Sequence, residues 1–395
     1  MALDFQQVRK QVKVLGENAR QREQELKGLR QLACQLLSSN AQEIEYLRQK
    51  VEQARAYDPG LRCALPIHES LDAAFRLPAL PDQATIVAVD GSQIYPDRHA
   101  EVHYGMVNVG AIQMRRGMVE SPQTTIQCQL IYGDQLYTQV GMITEELLNL
   151  KRDLNERAML VNLAAKAPPP VITFTDGPLE LWGAKDGGGE GASEYKESLD
   201  LYLHALEQLH GLNAATAGYV DKPGADLVVR LLELASLDPD ELKEIKKNHP
   251  LRGVTELDLY GDLLEMGERS AVFAMQSQSA KSYKGELALR FFYLNVGRPE
   301  HPWLARVEIP AWVAEQPEML DSLHATLFNQ CRIMGSRPYP YLLHRAHETA
   351  RVTMEEKEQV TQMIILELHG RGVFVGEKSP KQSSKELSGR TSYTG

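Results

Sequence analysis

The sequence predicts an α/β fold, a mixed sheet flanked by helices and preceded by a helical arm, and three observations carry that prediction. Ala84–Ile94, Ala100–Met114 and Thr124–Tyr132 are successive β-branched and apolar runs joined by short polar or Gly-containing links, the pattern of an antiparallel meander. Thr144–Ala165 then switches to helical spacing, and Val171–Asp176 returns to an apolar strand. Ahead of all of them, Phe5–Ala56 is rich in Gln, Glu, Arg, Lys and Leu with its apolar residues at helical intervals.

Taken in order, the arm occupies residues 1–56. Its apolar positions are Phe5, Val8, Val12 and Leu15, then Leu26, Leu29, Leu32 and Leu36, then Ile44, Leu47 and Val51. Ser38-Ser39-Asn40 reads as a break with an N-cap, so two amphipathic helices are expected. They form a flap packed on their own domain or an arm that pairs with another subunit. Residues 57–83, punctuated by Pro59, Pro66, Pro78 and Pro81, read as an irregular connector. The main domain is expected over 84–372. After the meander, Thr144 is placed to cap a helix whose first turn carries Glu145 and Glu146, and Pro168–Pro170 ends it before the fourth strand.

The segment from Gly183 to Ser193 contains three consecutive glycines and reads as a flexible loop; without a GK[ST] ending it is not a nucleotide P-loop. A helix over Tyr195–Leu212, a strand over Thr216–Val220 and a helix over Ala225–Leu237 follow. Further strands are expected at Phe273–Ser277, Glu286–Val296 and Leu304–Trp312, then helices over Pro317–Met334 and from about Tyr339 to His369. Residues 373–395 are polar and are expected to be disordered. Three strands, a helix and a fourth strand follow the order of ribonuclease-H-like sheets, in which an acid on the first strand faces one on the fourth.

Composition narrows the function classes. With 395 residues and 43% hydrophobic content the chain can bury a large core. No apolar run approaches the roughly 18 residues that span a bilayer, and Met1–Glu23 is too polar for a secretory signal, which predicts a cytoplasmic protein with no membrane partner. Cys34, Cys63, Cys128 and Cys331 are scattered without CxxC spacing, so neither a zinc knuckle nor a disulfide framework is expected. A formal charge of −10 argues against a protein that coats nucleic acid non-specifically, and is compatible with an enzyme that has a local basic groove.

The chemistry centres on two aspartates at strand ends. Asp90 closes ATIVAVD and Asp176 closes VITFTD, and each precedes a glycine that frees the backbone to turn. Asp-Gly is also an ordinary turn signal. If the two strands are neighbours, the carboxylates converge at the sheet edge and their repulsion is relieved by Mg²⁺ or Mn²⁺. On the intervening helix Arg152 and Glu156 stand four apart, either as an exposed ion pair or with Glu156 turned inward as a third carboxylate. Three acids are enough for two divalent ions. Near the C-terminus SRPYPYLLHRAHETARV is dense in Tyr and His. Tyr339 and His347, eight apart, share a helix face if the helix begins at Pro340, whereas His344 and His347 at i, i+3 also suit packing or surface roles.

In this order, VAVDGSQIYPDRH, LKRDLNER, TFTDGPL, YVDKPGADLVVRLLEL and PYPYLLHRAHETARV resemble the NurA nucleases, over most of the chain from Ala84 to about Gly372. The resemblance implies a ribonuclease-H-like homodimer that hydrolyses DNA with Mn²⁺ or Mg²⁺, two ions being expected. The implied activity is 5′ exonuclease and single-strand endonuclease action in DNA end resection, beside a HerA-type hexameric helicase-translocase. It further implies metal ligation by Asp90, Glu156, Asp176 and His347, an active-site role for Tyr339, and a basic residue at Lys222 that contacts a DNA phosphate or stays a solvated loop lysine; Arg98 and His99, just past the first motif, read as DNA contacts or as an ordinary polar turn. Two other readings stay open: a nuclease-like module that docks a translocase and cleaves weakly, and a small-molecule phosphohydrolase.

Overall fold

The computed structural model describes residues 3–138, 141–183 and 190–375. Helix α1 (Phe5–Ser39) starts at Asp4, whose carboxylate accepts the Gln6 and Gln7 amides, and buries only Ala33 and Leu37. Helix α2 (Ile44–Tyr57) buries Leu47, Val51 and Ala54. The break falls where the Ser-Ser-Asn cluster predicts it, but Asn40 closes α1, and the residue before α2 is Glu43. The proline-punctuated connector contains a strand, β1 (Cys63–Pro66), too short for its alternation to stand out in the sequence.

The meander is β2 (Ala84–Ile94), β3 (Gly105–Arg116) and β4 (Gln123–Ile131). Two-residue strands β5 (Tyr137–Thr138) and β6 (Gly141–Met142) precede α3 (Glu145–Ala164), whose N-cap Thr144 accepts the Leu147 amide as predicted. Next come β7 (Val171–Asp176), α4 (Glu190–Gly211), β8 (Ala215–Asp221), α5 (Leu227–Ser236) and α6 (Glu256–Tyr260). Strands β9 (Phe273–Gln276), β10 (Leu289–Asn295) and β11 (Leu304–Pro310) lead to α7 (Ala311–Ala314) and α8 (Pro317–Ile333). The single last helix expected from 339 to 369 is two, α9 (Tyr341–Ala350) and α10 (Met354–Gly370), because Thr353 and Glu356 form a capping box that starts a new helix. Of the glycine-rich loop, residues 184–189 lie outside the described residues, as do 376–395 of the expected disordered tail. No helix among the described residues is long and apolar enough to cross a membrane.

The chain divides into two compact units. One comprises residues up to Pro81, Gly177–Glu180 and Ala217–Pro340, with antiparallel strands in the order β1-β9-β10-β11-β8. Its core is aromatic: Phe273 stacks on Phe291 at 5.6 Å and Tyr260 on Tyr293 at 5.5 Å, and Trp312 is also buried. His324 is fully buried here and its Nε2 lies 2.7 Å from the Gly267 carbonyl, so Nε2–H donates and the ring is neutral. Burial holds its pKa down at about 4. A lowered histidine pKa gives stability that is complete above the unfolded value near 6.5 and is lost as pH falls towards 4, on the order of 3 kcal/mol. Melting temperature should fall across that window, and His324→Asn should flatten the slope; an unchanged slope would show that His324 does not drive it.

The other unit comprises Asp82–Asp176, Leu181–Thr216 and the chain from Tyr341 onward. Strands run in the order β7-β2-β3-β4, with β2, β3 and β4 antiparallel and β7 parallel to β2. That is the predicted ribonuclease-H-like order: a three-stranded meander, a crossover helix, and a fourth strand laid beside the first. Strand β2 is buried from Ala84 to Val89, whereas β4 is mostly exposed, which matches the apolar run of the first and the Gln- and Thr-rich sequence of the second.

Candidate active site

The parallel register of β2 and β7 pairs Thr85 with Val171 and continues to Val89 with Thr175. The next residue on each strand, one step past the paired stretch, is Asp90 and Asp176, on neighbouring strands whose axes lie about 4.8 Å apart. Because matched residues of paired strands project to the same face, both aspartates belong to one face of the sheet. Asp176 ends its strand and Gly177 turns away with φ +80. Gly91 does not turn: β2 runs on to Ile94, still paired with β3, which corrects the expectation of a sharp turn at Asp90. Glycine is needed at 91 for another reason, because a Cβ there would lie 2.6 Å from Arg152 Cγ and 2.6 Å from Glu156 Oε1.

Alternation along β2 sorts the neighbours by face. Asp90 pairs with Gly110 and Ser92 with Asn108, and these four share a face. Helix α9 lies against that face. A Cβ on Gly110 would meet the Ala350 amide at 2.7 Å and the Ala346 carbonyl at 2.9 Å, and the Asn108 and Ser92 side chains both donate to the Ala350 carbonyl. So seated, α9 brings His347 Nδ1 to 2.7 Å from Asp90 Oδ2, while Asp90 Oδ1 accepts the Gly91 amide at 2.9 Å. The Asp90 side chain is 13% exposed and the His347 ring 61%. With Asp90 ionised, Nδ1–H donates and Nε2 keeps its lone pair, the arrangement of an oriented proton acceptor.

Helix α3 lies against the opposite face, the one towards which Gly91 and Thr175 point. Arg157 donates to Thr175 Oγ1 at 2.8 Å, and Glu156 fills the space left by Gly91. Glu156 is therefore turned inward, as one of the two sequence alternatives held, but it reaches β2 from the side away from Asp90 and Asp176. The ion pair of the other alternative also exists, with Arg152 Nε 3.3 Å from Glu156 Oε1 and Arg152 Nη2 2.7 Å from Asp153. Burial, the Asp153 charge and then Asp90 push the Glu156 pKa up to about 8, against the pull of Arg152 and Arg157. Burial likewise raises Asp153, with Arg152 opposing. Arg152 Nη1 also donates to Gln93, whose amide joins Tyr95 and Asn149 in one hydrogen-bonded set.

A divalent ion of the Mn²⁺ or Mg²⁺ type fits this donor set in chemical character. Asp90 and Asp176 supply hard carboxylate oxygens, Asp90 retains acceptor capacity beyond its two bonds, and His347 offers Nε2 either as a ligand or as a proton acceptor. As the side chains stand, no three His, Cys, Asp or Glu groups among the described residues close around one point.

The remaining sequence candidates lie elsewhere. Tyr339 precedes α9, which begins at Tyr341, so it does not share a helical face with His347; it belongs to the other unit and packs edge-on against Tyr219 at 5.6 Å. His344 pairs within its own helix, Nε2 to Glu348 at 3.5 Å. Arg98 is exposed just beyond β2, where His99 closes a turn on Asp97. Lys222, exposed at the end of β8, has φ +45. Sequence reasoning missed Gly110, Ser92 and Asn108, which seat α9. The available signal was a glycine in the middle of an otherwise apolar strand, which marks close approach of another backbone.

Residues 84–352 match the family model described as the NurA domain. Among solved structures, the NurA nuclease from Sulfolobus solfataricus is 11% identical over 83% of this chain and 92% of its own, with a TM-score of 0.49. A NurA solved with manganese is 9% identical over 74% and 91%, with a TM-score of 0.40. The catalytic domain of human Endonuclease V is 14% identical over 80% and 95%, with a TM-score of 0.32. No curated protein matches the chain. At such TM-scores the structural likenesses add no weight of their own, and the assignment rests on the domain match. That match runs from the first residue of β2 past the end of α9, well over half of the sequence, and the chain belongs to the NurA domain family.

Proposed function

We propose that the protein is a metal-dependent DNA nuclease whose reaction centre lies at the ends of β2 and β7, on the face covered by α9. Family membership supports nuclease action, and the observation that carries the site is the parallel register of β2 and β7, which ends one residue before Asp90 and Asp176, with His347 bonded to Asp90. Asp90 and Asp176 would hold the ion, with Glu156 behind the sheet as a buried and largely protonated carboxyl. When bound, Mn²⁺ or Mg²⁺ supplies positive charge to the phosphodiester under attack. His347 Nε2 takes the proton that the attacking water gives up, and Asp90 at Nδ1 fixes the ring and stabilises the imidazolium. Arg152 pairs with Glu156 and Asp153 where α3 packs beneath the site.

The finer reading is 5′ exonuclease and single-strand endonuclease action in end resection and double-strand break repair, in the cytoplasm, with two metal ions and a HerA-type ATPase as partner. Motif resemblance supports it, with Lys222 and Arg98 as DNA contacts and Tyr339 as an accessory group. A homodimer is supported by α1, which exposes Phe5, Val8, Val12 and Leu15 along one side. The test is a cleavage assay on labelled single-stranded and duplex oligonucleotides with Mn²⁺, Mg²⁺ or EDTA. Products should form with a divalent ion and vanish with EDTA. Turnover of a chromogenic phosphate ester that single-stranded DNA does not inhibit, with no DNA cleavage, would overturn the proposal.

A further inference from the structure

Trp303 is a large aromatic side chain left 36% exposed on a rigid mount. The turn that carries it is held by reciprocal Arg298 and His301 backbone bonds of 3.0 Å, and by Asn295 Oδ1, which accepts the Gly297 amide at 3.0 Å and the Trp303 amide at 3.2 Å. The space a Cβ would need at Gly297 is filled by the backbone of His301, Pro302 and Trp303, so the turn has no room to reshape. The indole Nε1–H donates to Asp221 Oδ1 at 2.8 Å, which satisfies the polar edge and fixes the ring plane.

Beside it, Lys222 Nζ sits 5.8 Å from the ring centroid, near the outer limit of a cation–π contact. Lys222 holds φ +45 although it precedes Pro223, and both its side chain and the proline disfavour that conformation. Asn213, the other non-glycine residue with positive φ among the described residues, is of a type that tolerates it. Strain of this kind persists where surrounding structure enforces it, and it gathers at binding sites. Arg298 and His301 are exposed on the same turn.

Resting on the nuclease reading, we propose that Trp303 is a stacking platform for a base of a single DNA strand, with Lys222 and Arg298 taking the flanking phosphates. A fixed indole accepts any base on its π-face, which suits an enzyme that must hold a strand regardless of sequence. Lys222 moves from the ring to a phosphate as the base arrives, exchanging a weak contact for a charge-assisted one.

Binding of a labelled oligothymidylate to the full-length protein, followed by anisotropy in EDTA so that no cleavage intervenes, tests this. Trp303→Ala should weaken binding about tenfold, and Trp303→Phe by less than about threefold. On an oligonucleotide with an abasic tract, wild type and Trp303→Ala should bind alike. Lys222→Ala should reduce the salt slope by about one, and Trp303→Ala should leave it unchanged. Undiminished binding by Trp303→Ala, or an equal loss on the abasic tract, would overturn the platform while wild-type cleavage with Mn²⁺ leaves the nuclease reading intact. A wild-type protein that neither binds nor cleaves DNA would overturn both.

Discussion

Asp90→Asn should lower divalent-dependent DNA cleavage by on the order of 10³-fold or more and leave the melting temperature close to that of the wild type. The substitution is isosteric: the amide oxygen in place of Oδ1 still accepts the Gly91 amide, and the NH2 group in place of Oδ2 can donate to Nδ1 of a neutral His347 that carries its proton on Nε2, so α9 keeps a bonded seat while Nε2 ceases to be a proton acceptor. What disappears is the charge that would anchor a cation and stabilise a protonated His347. Electrostatically the loss and the gain oppose each other, because Asp90 is among the charges that push the buried Glu156 upward and also among those that favour the Arg152 cation. Single-turnover cleavage and thermal melting, measured on the same preparation, separate the two effects. A variant that cleaves at close to the wild-type rate would remove Asp90 from the reaction centre.

Gly110→Ala should be among the most damaging single substitutions in its unit. The added methyl would come 2.7 Å from the Ala350 nitrogen, 2.9 Å from the Ala346 oxygen and 3.0 Å from the Thr349 carbonyl carbon, all backbone atoms that cannot rotate aside. Helix α9 must lift, at a cost of about 2 kcal/mol or more, which would lower the melting temperature by several degrees. His347 follows Ala346 on that helix, so its bond to Asp90 breaks as well. Activity per folded molecule should then drop by at least about tenfold, as expected when an oriented proton acceptor is misplaced. Gly16→Ala, inside α1 with nothing within 4 Å of the added atom, serves as the control and should leave activity unchanged and stability unchanged or raised by up to about 1 kcal/mol. Wild-type stability in Gly110→Ala would show that α9 is not seated as described.

Much of this was legible in the residues because strands and helices announce themselves by period. The β2 and β7 runs, the Thr144 cap and the meander-helix-strand order follow from alternation and capping chemistry, and the register then delivers Asp90 beside Asp176. His347 was readable as a candidate from its company of tyrosines and histidines, yet its bond to Asp90 depends on Gly110, 237 positions before it, and no local pattern encodes that. Glu156 shows the limit most clearly. Helical spacing places it with Arg152 and burial turns it inward, but which face of the sheet α3 covers is a tertiary property. Only the pairing of Arg157 with Thr175, and the gap at Gly91, reveal that Glu156 and Asp90 approach β2 from different sides. Tyr339 failed as a helical neighbour of His347 because the Pro340 junction delays the helix start to Tyr341.

The face assignment is the centre of the account, and a crystal of the protein soaked in Mn²⁺ tests it most directly through the ion's anomalous scattering. The peak should lie between the Asp90 and Asp176 carboxylates, on the face covered by α9 and within reach of His347. A peak beneath the sheet, against Glu156 and Asp153, or one bound by neither aspartate, would contradict it.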